Sequence, residues 1–195
     1  VSGNIDYHSH YDRMGVLDWW NGGQVEDEKG YTTSLITEHA LAFVKKNTSN
    51  RFCLYLAYEA PHDPYQGPND PAIRVQGKVV PNKYAEGQIP RAYREMVQTM
   101  DTGIGKILEL LKTEELDRKT FVFFLSDNGA NKNGRNGDHR GFKGSLWEGG
   151  HRVPGIIRYP NKILANTLIN EPAMGIDWLP TLSEFADTAL PEKKI

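Results

Sequence analysis

The segment between residues 120 and 157 carries side chains that could bind a metal ion and an anion together. Asp127 and Asn128 directly follow an apolar run, residues 121–125, and offer an anionic and a neutral hard oxygen ligand. Lys143 lies in the long glycine-rich loop that follows, where the backbone can approach a ligand closely. Asp-Asn-Gly is also an ordinary turn sequence and a single lysine is more often solvated, so both interpretations stay open on these residues alone.

A histidine occupies the matching position after a second apolar run. Residues 52–58 end at Glu59-Ala60-Pro61-His62-Asp63-Pro64, where two prolines hold His62 in an extended segment. A lone histidine in a loop is commonly solvated, whereas its place at a strand end favours a functional role, and neither is excluded. The pair His8 and His10 could bind zinc only with a third ligand, which the neighbouring sequence does not supply.

Length and composition exclude several classes of protein. The chain has 195 residues, enough for one α/β domain with a real core. Charged residues are 25% and the formal net charge is −2, so no polyanion-binding face is implied and nucleic-acid binding is not expected. No apolar run approaches the roughly 20 residues needed to span a bilayer. The single cysteine, Cys53, allows no internal disulfide and is predicted to be a small core residue.

Helices and strands alternate along the chain in the pattern of an α/β fold. The predicted elements, in chain order, are an irregular lead-in over 1–32, a helix that begins at Thr33 or Ser34, a strand over 52–58, a surface excursion over 66–90, a helix from Arg91 to about Lys112, strands over 121–125 and 153–157, and a helix capped by Asp177. This order indicates a mostly parallel sheet covered by helices. Only three or four strands can be identified, which predicts an incomplete sheet.

Three motifs in a fixed order make the sequence similar to the type I sulfatases of the alkaline-phosphatase superfamily. They are Ala60-Pro61-His62-Asp63-Pro64, then Ser126-Asp127-Asn128-Gly129, then the run from Gly141 to Gly150 with Arg152-Val153-Pro154. Each motif is weak alone, the three together are highly specific, and the likeness runs through nearly all of residues 1–195. The resemblance implies an α/β/α sandwich, hydrolysis of sulfuric esters, a bound calcium ion, and a periplasmic, secreted or lysosomal location.

The resemblance also implies a role for each candidate residue. Asp127 and Asn128 would ligate Ca²⁺, and Lys143 would neutralise charge on the sulfate group. His62 would contact the sulfate or protonate the leaving group. His139 lies where relatives commonly have a different residue before Arg-Gly, and it is a further candidate contact to the substrate, a sulfated small molecule or sugar. Glu148 is interpreted as fixing the loop.

The nucleophile of that family is a formylglycine, made from a cysteine or serine in a Cys/Ser-x-Pro/Ala-x-Arg motif, and that motif is absent here. Cys53 stands in Arg51-Phe52-Cys53-Leu54-Tyr55, without the proline and arginine. The family's amino-terminal aspartate pair is missing too. We therefore expect the middle-to-late portion of a catalytic domain, lacking its amino-terminal half, inactive alone, and mobile over 127–150. The alternatives are a phosphate or phosphonate ester hydrolase of the same superfamily and a non-catalytic ligand-binding member.

Overall fold

The computed structural model of the protein describes residues 4–190, which form two compact units, 4–163 and 164–190. The first unit contains, in chain order, the strands β1 (Trp20–Asn21) and β2 (Gln24–Val25), the helices α1 (Thr32–Lys46) and α2 (Gln88–Thr113), the strand β3 (Val122–Leu125), the one-turn helix α3 (Glu148–His151) and the strand β4 (Gly155–Arg158). The second contains a 3-10 helix (Gly175–Asp177) and α4 (Trp178–Phe185). No helix within residues 4–190 is both long and apolar enough to cross a membrane.

Helices α1 and α2 pack directly on each other, and a glycine makes their close approach possible. A Cβ atom built on Gly103 of α2 would overlap the hydroxyl oxygen of Thr37 on α1. The same hydroxyl donates to the main-chain oxygen of Thr33 at 2.9 Å and lies 2.8 Å from the hydroxyl of Tyr58. Both helices were predicted; α1 begins at Thr32 and α2 begins at Gln88, three residues before the expected start.

The lead-in over residues 4–31 is irregular, as predicted, yet it is part of the core. The carboxylate of Asp6 is fully buried and accepts backbone N–H groups from His8 and Ser9 at 2.9 Å, from Ile73 at 2.7 Å and from Arg74 at 3.0 Å. Burial raises the pKa of Asp6 and these four hydrogen bonds lower it, so that the net pKa lies below its ordinary value. This carboxylate therefore ties the lead-in to the excursion at 66–90.

The prediction of a buried strand over residues 52–58 is wrong for this chain. The segment is extended but pairs with no strand in the described part of the molecule, and its exposure alternates, with residues 53, 55 and 57 exposed. Helix α1 covers one face, where Phe43 meets Phe52 edge-on at 5.8 Å. No described element covers the other, so Tyr55 is 88% exposed and Cys53 is a surface residue rather than a core one.

The strands that do pair are antiparallel. β3 lies beside β4 with Val122 opposite Arg158 and Leu125 opposite Gly155, and β1 pairs with β2 in the same sense. The predicted parallel pairing is not found among residues 4–190, because the chain leaves β3 in a loop and returns alongside it. β3 is half-buried, ending at the exposed Leu125, and is not covered on both faces as its apolar sequence suggested.

Candidate functional site

Asp127 and Asn128 lie just beyond the carboxyl end of β3, separated from Leu125 by Ser126. Asp127 is exposed and Asn128 is half-buried, and neither side chain forms a hydrogen bond with the described residues. The hydroxyl of Ser126 donates to the main-chain oxygen of Asn128 at 3.0 Å and shapes the bend between them. Within residues 4–190 no three His, Cys, Asp or Glu side chains are grouped so that they could hold a metal ion. The pair therefore supplies oxygen donors of the type that Ca²⁺ accepts, in insufficient number.

Backbone hydrogen bonds join the segment after Asn128 to the loop that carries Lys143. The N–H of Gly129 donates to the oxygen of Gly150 at 3.0 Å, and the N–H of Lys143 donates to the oxygen of Ala130 at 3.0 Å. A Cβ atom on Gly129 would overlap the carbonyl oxygen of Gly149, so only glycine permits this approach. These contacts hold the Lys143 backbone against the strand end that carries Asp127.

Asn136 stabilises the loop from inside, a role that sequence reasoning missed. Its side-chain oxygen accepts the N–H of Ala130 at 2.8 Å, and its Nδ2 donates to the carbonyl oxygens of Ala130 and Gly141, both at 3.1 Å. An asparagine among glycines is ordinary turn composition, so no sequence pattern marks this role, which spans five and six residues. These bonds give the loop a defined backbone path, and the mobility expected for residues 127–150 stays a prediction.

The side chain of Lys143 is exposed, and its ammonium group forms no ion pair with the residues that the structure describes. Gly141 and Gly144, which flank Phe142 and Lys143, adopt φ of +91° and +88°, a conformation that favours glycine. Nearby, the guanidinium of Arg140 lies 3.9 Å from the centre of the Trp147 ring, a cation–π contact that anchors the loop. The ammonium group of Lys143 is thus exposed to solvent, on a loop whose backbone is anchored by the Arg140–Trp147 contact.

His139 points toward Glu148, since its Nδ1 lies 3.3 Å from a carboxylate oxygen of that residue. Glu148 also pairs with Arg152 at 3.3 Å, one turn further along α3 and its C-terminal cap. Glu148 and Arg152 are more than half exposed, and exposed pairs of this kind contribute little to stability. The loop-fixing role of Glu148 and the substrate contact by His139 both stay predictions.

The ring of His62 is held by the main chain of its own segment. Its Nδ1 lies 2.7 Å from the carbonyl oxygen of Asp63, and its backbone N–H donates to the oxygen of Glu59 at 2.8 Å. The hydroxyl of Tyr7 donates to the His62 carbonyl at 3.1 Å. A carbonyl oxygen can only accept, so Nδ1 carries the hydrogen and Nε2 is left for other partners. No described residue bonds to Nε2.

Tyr65 connects the His62 segment to the loop after β3. Its ring is buried, and its hydroxyl oxygen accepts the Nδ2 groups of Asn131 at 2.6 Å and Asn133 at 3.0 Å. The segments that follow the two apolar runs are therefore linked by hydrogen bonds, although residues 52–58 do not pair with β3. Sequence reasoning missed Tyr65, whose partners lie more than 60 residues away.

Comparison with known proteins matches residues 2–188 to the family described as Sulfatase. The chain is 35% identical over 173 residues to steryl-sulfatase of Homo sapiens, an alignment that covers 84% of this chain and 27% of that protein. It is 36% identical over 172 residues to arylsulfatase H of Canis lupus familiaris, covering 83% of this chain and 28% of the relative. Among solved structures, Ps i-CgsB in complex with k-i-k-neocarrahexaose is similar, with a TM-score of 0.73, 31% identity, and coverage of 88% of this chain and 37% of that one.

The chain therefore spans less than two fifths of the length of each of these relatives. The structural likeness confirms the predicted fold class, a mixed α/β fold of the alkaline-phosphatase type of which this chain contains part.

Proposed function

The chain belongs to the sulfatase family, and we propose that it forms the anion-binding and leaving-group side of a site that hydrolyses sulfate esters. The observation that carries the proposal is the position of Lys143. Its backbone N–H bonds to Ala130, in the segment that follows Asp127 and Asn128, and its ammonium group is exposed. A cation and two oxygen donors at one strand end suit an anionic ester bound through a metal ion.

The proposed roles follow from the charges that change in the reaction. A sulfate monoester carries negative charge over its oxygens, and the Lys143 ammonium would neutralise part of it. When the S–O bond breaks, its electron pair stays on the leaving oxygen, which then needs a proton. Nε2 of His62 has no partner among the described residues and would deliver that proton. His139 would be released from Glu148 to contact the substrate.

Asp127 and Asn128 would contribute two ligands to a calcium ion, which prefers about six to eight oxygens. The donor type fits calcium and the number of donors does not, so further ligands would come from polypeptide outside this chain. Bound calcium would supply electrostatic stabilisation of a sulfate oxygen. The chain also lacks a residue that could be the formylglycine nucleophile, because Cys53 has no Cys-x-Pro/Ala-x-Arg context.

A sulfated sugar is the proposed substrate. The support is a relative of known structure, Ps i-CgsB, which was solved with k-i-k-neocarrahexaose. We also propose a periplasmic, secreted or lysosomal location for the protein that contains this chain. Both proposals rest on the family resemblance.

Titration of the chain with inorganic sulfate tests the anion site directly. We expect the side-chain Nζ resonance of Lys143 and the ring of His62 to shift in a saturable manner, and the effect at His62 to disappear in Lys143→Ala. Lys132→Ala is the matched control, because Lys132 is an exposed lysine of the same loop, and it should leave the titration unchanged. Equal, non-saturating shifts at all surface lysines would contradict the proposal.

A further inference from the structure

The excursion at residues 66–90 places two side chains on the carboxylate of Asp63, the residue next to His62. The hydroxyl of Tyr84 donates to one oxygen of Asp63 at 2.6 Å, and Nδ2 of Asn82 donates to the other at 2.6 Å. The Tyr84 hydroxyl also accepts the backbone N–H of Tyr65 at 3.0 Å. One hydroxyl group therefore bridges the chain on both sides of the buried Pro64.

The direction of these bonds is fixed by the chemistry of the groups. Burial, together with the adjacent Asp63 carboxylate, raises the pKa of Tyr84 well above its ordinary value, so the phenol keeps its proton and donates it to Asp63. Behind Asn82, a guanidinium nitrogen of the buried Arg74 lies 3.4 Å from the Asn82 side-chain oxygen. That contact orients the amide so that its Nδ2 faces Asp63.

Fixing the Asp63 residue also fixes the partner of His62, because Nδ1 of His62 donates to the Asp63 carbonyl at 2.7 Å. The chain of contacts thus runs from the Tyr84 hydroxyl to the Asp63 side chain, then through the Asp63 main chain to the imidazole. If the Asp63 residue turned, the acceptor would leave Nδ1, and the ring would be free to rotate and to change tautomer. Tyr84 lies outside every motif that marked the candidate site.

We propose that Tyr84 is a positioning residue that holds His62 in the Nδ1–H tautomer, so that Nε2 is the atom that exchanges protons. The transfer of a proton from Nε2 to a substrate rests on the proposed function, whereas the tautomer of His62 does not depend on it. In the reaction, a nucleophile from outside this chain forms a bond to sulfur while the S–O bond to the leaving group breaks with its electron pair on the leaving oxygen, and the proton moves to that oxygen from Nε2 of the imidazolium. The ring that remains is neutral, with hydrogen on Nδ1 still donated to Asp63.

The tautomer can be measured without any turnover. In the ¹⁵N-histidine-labelled 195-residue chain, at a pH where imidazoles are neutral, His62 should show a protonated-type Nδ1 and an unprotonated-type Nε2. The signal is assigned by its disappearance in His62→Gln. Tyr84→Phe removes only the hydroxyl and keeps the ring, whose centre lies 5.7 Å from that of Tyr65, and it should shift both nitrogens toward a mixture of tautomers.

Tyr93→Phe is the matched control. Its ring packs against the same Tyr65 ring at 6.1 Å, but it makes no contact with Asp63, so the His62 tautomer should be that of the unchanged chain. Asn82→Ala removes a second anchor of Asp63, whose same oxygen also lies 3.4 Å from the Arg13 guanidinium, and should shift the nitrogens in the direction of Tyr84→Phe. If Tyr84→Phe does not fold, the Asn82→Ala result decides the matter. The proposal is overturned if the unchanged chain carries hydrogen on Nε2, or if Tyr84→Phe and Asn82→Ala leave the tautomer as it was. A failed sulfate titration would leave these results intact, so the two proposals fail separately.

Discussion

Two glycines of α2, two residues apart, provide a sharp test of how the helices support the His62 segment. Gly105 is exposed, and a Cβ atom there would meet nothing within 4 Å. Gly105→Ala should therefore stabilise the chain by about 1 kcal/mol, the ordinary difference between glycine and alanine in a helix. Gly103→Ala gains the same helix propensity, but its Cβ atom meets the Thr37 hydroxyl.

The Thr37 hydroxyl cannot move aside freely, because it bonds to the Thr33 carbonyl and to the Tyr58 hydroxyl. Overpacking of this kind costs about 1–3 kcal/mol, and losing one hydrogen bond costs about 1 kcal/mol more. After the gain of about 1 kcal/mol, Gly103→Ala should destabilise the chain by roughly 1–3 kcal/mol. Tyr58 lies four residues before His62, so the same substitution should disturb the candidate site.

Thermal and urea unfolding of the two variants measure the difference. For a chain of this size, 1 kcal/mol corresponds to a shift in Tm of about 2–4 °C. Gly105→Ala should raise Tm by about that amount, and Gly103→Ala should lower it by a similar or larger amount. The two Tm shifts should have opposite signs. If Gly103→Ala stabilises the chain as much as Gly105→Ala does, the close contact between α1 and α2 is not as described.

Three further predictions concern the site and the core. The purified chain should not turn over an aryl sulfate, because it has no activated nucleophile, and turnover comparable to that of a whole sulfatase would refute this. Calorimetry with Ca²⁺ should show no one-to-one micromolar site, whereas such a site abolished by Asp127→Ala would mean that the chain completes its own coordination shell. Because folding lowers the pKa of Asp6, its carboxylate stabilises the fold above the unfolded pKa of about 3.9, and that contribution is lost as pH falls through the lower folded pKa. Urea unfolding across this range should therefore show Asp6→Asn and the unchanged chain converging at acid pH, and a constant difference would contradict it.

The helices could be predicted from sequence because their signal is local. The apolar spacing within α1 and α2 is enough to locate both, with errors of a few residues at their ends. A strand over 52–58 would need neighbouring strands, and an apolar sequence does not show where those strands lie. No described element covers the face that carries Cys53 and Tyr55, so both are exposed.

In the candidate site too, residues marked by a local sequence pattern could be predicted, whereas residues that act through distant partners could not. The motif residues His62, Asp127 and Lys143 could be identified from their places after apolar runs. Tyr65 and Tyr84 could not, because each acts through partners about 20 or more residues away, and a tyrosine in a loop has no sequence pattern that marks such a role. Long-range hydrogen bonds are visible only once the chain is folded.

The effect of leaving-group basicity on His62→Ala, in a sulfatase that contains this chain, tests the central claim most directly. Rates would be measured for a series of aryl sulfates with leaving groups of increasing pKa, with Lys143→Ala as the comparison. We predict that His62→Ala loses more rate as the leaving group becomes more basic, because such groups need a proton, and that Lys143→Ala loses roughly 10²–10³-fold across the whole series. An equal loss for all leaving groups in His62→Ala would contradict the account, since His62 would then bind sulfate and donate no proton.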